Sequence, residues 1–95
     1  MYYIENTEIL LLDPKEYGLS QRTLIGLYAD RHFVLIKDRK SRIIMKDGKQ
    51  ILEQIEKIKS RAPETETNLA TNAPVCGKTT KLLNEKGITI YSLEN

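Results

Sequence analysis

Ile51, Leu52, Ile55 and Ile58 repeat on the 3.6-residue period of a helix, and Glu53, Glu56, Lys57 and Lys59 fall on the other side. Asp47 is a good N-cap residue, and Gln50 stands at the capping-box position three residues later. Pro63 follows Ala62 and stops the helix, because the residue before a proline is driven out of the helical region. A helix with one apolar stripe must bury it against a second layer. That requirement constrains the rest of the chain.

The second layer is legible upstream. Residues 2–4 and 8–12 are short strand-like runs. Asn6-Thr7 offers a turn between them, and a single longer strand is the alternative. Asp13-Pro14 ends the run, since proline cannot continue a ladder. Residues 15–22 read as a loop with room for one helical turn. Residues 23–29 (TLIGLYA), 32–37 (HFVLIK) and 42–46 (RIIMK) read as strands, with turns at Asp30-Arg31 and at 38–41. Short turns and frequent β-branched residues predict an antiparallel meander. Apolar residues fall on both parities, so part of the sheet is covered on both faces.

Residues 64–72 (ETETNLATN) are polar, and 63–72 is expected to be an exposed connection. A second helix is predicted over 73–86, with Asn72 as N-cap. Gly87 is placed to close it in the left-handed conformation. Residues 88–93 (ITIYSL) form a last strand. The fold class is α+β: an antiparallel β-meander, two helices packed on one face, and a C-terminal strand, in one small domain over 1–95. With no tryptophan and a single phenylalanine, the core must rest on Ile and Leu.

The longest apolar runs, 9–12 and 33–36, have four residues each, far below the ~20 of a membrane-spanning helix. The first residues carry acids where a signal peptide carries positive charge. One cysteine cannot form an internal disulfide. These signals predict a cytoplasmic protein with no membrane partner.

The stretch Asn72-Ala-Pro-Val-Cys-Gly-Lys-Thr-Thr80 raises the sharpest question in the chain. Gly77-Lys78-Thr79 matches the tail of a phosphate loop, G-x-x-x-x-G-K-[ST], but the first glycine is Asn72. Pro74 removes an N–H donor that such a cradle needs, and a polar stretch stands where a buried strand should lead in. No nucleotide is expected. From Ala73 to Ile88 the sequence resembles the active-site helix of glutaredoxins: Ala73-Pro74-Val75-Cys76, then Leu82-Leu83-Asn84-Glu85-Lys86-Gly87-Ile88. The resemblance puts Ala73 at the nucleophile's position and Cys76 at the resolving cysteine's. It covers this helix alone and is read as a coincidence of the helix–glycine–strand arrangement. Cys76 in a first helical turn beside Lys78 remains a candidate reactive thiol.

His32 is the single histidine and has no second ligand at a zinc spacing, so no metal and no cofactor are expected. Glu64 and Glu66 lie in the polar stretch, and Ser20, Ser41, Ser60 and Ser92 have no evident activating partner. No catalytic constellation is legible, and the chain reads as a non-enzyme.

The net charge of +2 hides an uneven distribution: −3 over residues 1–30, +5 over 31–49 and zero over 50–95. Lys37, Arg39, Lys40, Arg42, Lys46 and Lys49 carry the excess. They read first as a solvated strand edge that discourages aggregation, and second as contacts for nucleic acid or another acidic partner. The function expected from the sequence is therefore a small non-catalytic binding module acting through protein–protein contacts, with self-association as a homodimer through an open sheet edge. Nucleic-acid binding through 37–49 is the alternative, and thiol chemistry at Cys76 the second alternative.

Overall fold

The structure is a computed structural model that describes residues 1–29 and 32–95. The expected turn at Asp30-Arg31 lies outside the described residues. The elements in chain order are β1 (Tyr3–Ile4), β2 (Thr7–Glu8), β3 (Leu10–Leu12), a 3₁₀ turn (Pro14–Tyr17), β4 (Leu24–Tyr28), β5 (His32–Lys37), α1 (Met45–Arg61), β6 (Glu66–Thr71), α2 (Gly77–Glu85) and β7 (Ile90–Ser92). The α+β class holds.

The described strands form a two-stranded β1–β2 hairpin and a five-stranded sheet in the order β3-β4-β5-β6-β7. The first three strands of the larger sheet form an antiparallel meander, in which the pairing of 23–29 with 32–37 is as expected but the third member is β3, not 42–46. From β5 onward the pairing is parallel, β5 to β6 and β6 to β7. Parallel neighbours need a crossover, and α1 and α2 supply the two.

Both helices cover one face of the sheet. Ile51, Ile55 and Ile58 of α1 and Leu83 of α2 pack with Ile25, Phe33, Leu35 and Leu69. The alternate residues Val34 and Ile36 of β5 and Ala70 of β6 point the other way, where Ile4, Ile9 and Leu93 cover them. β5 is thus buried on both faces, as its apolar letters on both parities require.

Three expectations need correction. The stretch 42–46 is not a strand: Ile43 makes one isolated parallel bridge to Val75, and α1 begins at Met45. Asp47 therefore sits in the first turn, where its carboxylate accepts from the backbone N–H of Ile44 at 3.0 Å. The connection 63–72 is not an exposed loop throughout: Glu66–Thr71 is β6, the fourth strand of the sheet, and 67–71 is buried. Two of its polar side chains are used inside the fold. The Asn68 side-chain oxygen Oδ1 accepts from Thr89 N–H at 2.8 Å. Thr71 Oγ1 donates to the Lys37 carbonyl at 2.7 Å and accepts from Ala73 N–H at 3.0 Å. The third correction is at α2, which starts at Gly77 with Cys76 as its N-cap, and Asn72 lies outside it.

The end of α2 follows expectation. Gly87 has φ +75°. Its N–H bonds the Asn84 carbonyl at 3.0 Å, and Ile88 N–H bonds Leu83 at 2.9 Å. These are the two bonds of a Schellman cap. Ile88 and Leu83 then meet in the core.

Two close approaches fix the layers. A Cβ on Gly48 of α1 would stand 2.8 Å from the Thr79 methyl of α2, so the helices meet where a side chain is missing. A Cβ on Gly26 of β4 would overlap the Ile9 Cγ2 methyl and lie 3.0 Å from the Leu10 carbonyl oxygen. Gly26→Ala is therefore expected to destabilise the protein by about 1–3 kcal/mol, the usual cost of overpacking a filled core. Urea unfolding should show a lower midpoint at unchanged slope.

Candidate nucleic-acid interface

The basic segment begins at the carboxyl end of β5 and runs through the loop into the first turns of α1. Lys37 closes β5 and is half-buried. Burial pushes its ammonium pKa down, Arg39 nearby adds to this, and Asp47 opposes it. Asp38 turns back to the body: it accepts from Tyr2 Oη at 2.8 Å and from Asn72 Nδ2 at 2.7 Å. Those two bonds hold its carboxyl below the ordinary range. The Asn72 oxygen in turn accepts from Arg39 N–H at 2.9 Å, which ties the ends of β5 and β6 together.

Arg39 is an internal strut. Its Nη2 lies 2.6 Å from Asp47 Oδ2 and its Nη1 3.4 Å from Oδ1. Nε donates to the Ser41 carbonyl at 3.2 Å, and Nη2 also to the Arg42 carbonyl at 3.0 Å. Lys40, Arg42, Lys46 and Lys49 remain exposed. The expected edge-protecting role of these charges does not hold. β5 is bonded to a strand on each side, so the charges cannot guard an open ladder.

What gathers them is a pair of helix starts. Ile43 N–H donates to the Pro74 carbonyl at 2.8 Å, and Cys76 N–H to the Ile43 carbonyl at 3.0 Å. These bonds set Ile43 beside Val75 in parallel. α1 begins two residues past Ile43 and α2 two residues past Val75, so the two N-termini lie side by side. Free N–H groups at a helix start, with the positive end of the dipole, favour anions. Cations there are unfavourable. Yet Lys46 stands in the first turn of α1 and Lys78 in that of α2, with Lys49 and Lys81 one turn on. α2 has no acid in its first turn and no base in its last, and Glu85 is its final residue. Its charges run against its own dipole. Lys78, which the sequence places beside Cys76 and in the phosphate-loop motif, and Lys81, which no motif singles out, join the basic segment only in the fold. The signal was a lysine directly after a helix-opening glycine.

Cys76 caps α2 through sulfur: Sγ accepts from Thr79 N–H at 3.4 Å and lies 2.9 Å from Thr79 Oγ1. The thiol pKa falls, first from the Thr79 hydroxyl, then from the Thr79 backbone, with Lys78 N–H and the Arg42 charge contributing and burial opposing. The other expected chemistry is dispersed. His32 opens β5, at the far end of the strand from Lys37, with Nδ1 3.3 Å from Glu66 Oε2. Among the described residues no three of His, Cys, Asp and Glu stand close enough to share a metal ion. No described helix is long and apolar enough to cross a membrane.

No family model and no curated protein matches the chain. Three solved structures do. EndoMS in complex with dsDNA matches at a TM-score of 0.72 and 17% identity, over 96% of this chain and 38% of that one. EndoMS in apo form matches at 0.67 and 16%, over 97% and 38%. A repair endonuclease from Pyrococcus abyssi matches at 0.63 and 18%, over 75% and 31%. The chain therefore spans about a third of the length of the structures it resembles. At these identities the likeness is one of fold. It corrects two expectations all the same. The fold neighbours are DNA-acting enzymes, which overturns both the non-catalytic protein-contact module and the plain non-enzyme. The alternative, nucleic acid, is the better-backed reading.

The Cys76 geometry has a direct readout. Alkylation of Cys76 should show a rate midpoint at lower pH than free cysteine, because the thiolate form is favoured. Thr79→Val removes the first-named cause and should move the midpoint back up.

Proposed function

We propose that this protein holds the phosphate backbone of DNA in a repair-type, nuclease-like process, using the basic end where α1 and α2 begin. The observation that carries this reading is the fold likeness over 96% of the chain to EndoMS, seen there with dsDNA. The reversed charge of α2 supports it, because an anion lying across the helix starts relieves an arrangement that is unfavourable in the free protein.

The residues divide by task. Lys40, Arg42, Lys46, Lys49, Lys78 and Lys81 supply exposed positive charge. Lysines act on phosphate as point charges, and Arg42 adds a planar fork. Backbone N–H groups at the helix starts complete the set. Such contacts fix position on a duplex without reading its sequence. Lys37, half-buried and with its pKa lowered, stands at the inner rim of this surface.

Polarisation of a labelled duplex, titrated at several salt concentrations, tests the reading. Binding should weaken linearly on a log–log plot, with a slope reaching about −5 if all the exposed cations engage phosphates. Lys40→Ala/Arg42→Ala/Lys46→Ala should make that slope shallower by about 3. A duplex affinity that ignores salt, or no binding at low salt, would refute the proposal.

A further inference from the structure

We infer that Asp47, an acid at the centre of this basic rim, is a positioning residue for phosphate contact: it clamps Arg39 and so holds the 39–44 loop in the shape that presents Lys40 and Arg42. The inference rests on the DNA reading above and deepens it.

A carboxylate on a DNA-facing surface repels the ligand, so simple electrostatics assigns Asp47 a negative effect. The geometry assigns it a different part. Both Asp47 oxygens lie against the Arg39 guanidinium, at 2.6 and 3.4 Å, and Oδ2 also accepts from Ile44 N–H at 3.0 Å. The same guanidinium takes the carbonyls of Ser41 and Arg42. Arg39 N–H is fixed from the other side by Asn72. One acid therefore anchors the loop at its beginning, through Arg39, and at its end, through Ile44. With the carbonyls of Ser41 and Arg42 turned toward Arg39, the side chains of Lys40 and Arg42 are left exposed. The Arg39 and Asp47 side chains keep only 33% and 26% of their surface exposed, so the pair is shielded from solvent more than an ordinary surface ion pair.

Asp47→Asn separates the two accounts by sign. It removes a negative charge and frees Arg39, so an acid that merely repels DNA predicts tighter binding and a salt slope steeper by about one. A positioning role predicts the opposite: affinity for the duplex about three- to tenfold weaker at moderate salt, with a slope shallower by about one to two as Lys40 and Arg42 lose register. Binding is measured by polarisation on protein shown by circular dichroism to be folded at the same temperature. Equal or tighter binding by folded Asp47→Asn overturns the inference and leaves the DNA reading standing, whereas a wild-type protein that fails to bind removes both. If Asp47→Asn does not fold, Asp47→Glu takes its place. It keeps the charge but displaces it by a methylene, so weaker binding is again expected and unchanged binding overturns the inference.

Discussion

The architecture depends on β5 being enclosed. Its six residues are paired with β4 on one side and β6 on the other, and its side chains alternate between two apolar layers. Val34 and Leu35, neighbours in sequence, point to opposite faces and are both fully buried. β6 beside it is enclosed in the same way, with Leu69 in one layer and Ala70 in the other. β4 offers no side chain at Gly26, and β3 leaves Leu10 and Leu11 largely exposed. With β5 fixed, the chain before it can only be a meander, and the chain after it must climb over the sheet to return in the same direction. That switch of connectivity puts the ends of β5 and β6, and the starts of both helices, at one end of the molecule.

Several parts of this arrangement were legible in the letters. The stripe Ile51, Leu52, Ile55, Ile58 dictated α1, Pro63 its end, and Gly87 the turn after α2. The mixed parity of HFVLIK announced a strand with no wet face. The fourth strand was not legible, and the reason is physical. Asn68, Thr71 and Thr67 look like solvent-seeking residues, and loops are rich in such letters. In the fold Asn68 and Thr71 complete hydrogen bonds that bind β6 to its neighbours, so polarity served the interior. A composition rule cannot see a partner that lies far away in sequence. The segment 42–46 failed in the opposite sense. Arg-Ile-Ile-Met-Lys has strand letters, but the Arg39–Asp47 pair pulls the chain into a loop and the helix starts early.

The site was half visible. The excess of positive charge over 37–49 could be counted, and nucleic acid was weighed as its partner. Which of those charges face outward could not be counted. Arg39 faces inward and Lys37 is half-buried, while Lys78 and Lys81, distant in sequence, belong with the exposed group. The grouping comes from a single bridge between Ile43 and Val75. Segment-by-segment reading treats the Gly77-Lys78-Thr79 stretch and the basic segment as separate questions, and the fold makes them one surface.

That bridge is built wholly from main-chain atoms. The gap between the two helix mouths is therefore set by the backbone and by the bare Gly48 facing Thr79, and not by the charged side chains around it. A frame of this kind can change its chemistry by replacing the residues around the rim, one at a time, while the spacing stays put. Chains that share the frame can thus diverge almost completely in letters and still keep the same distance between the two helix starts.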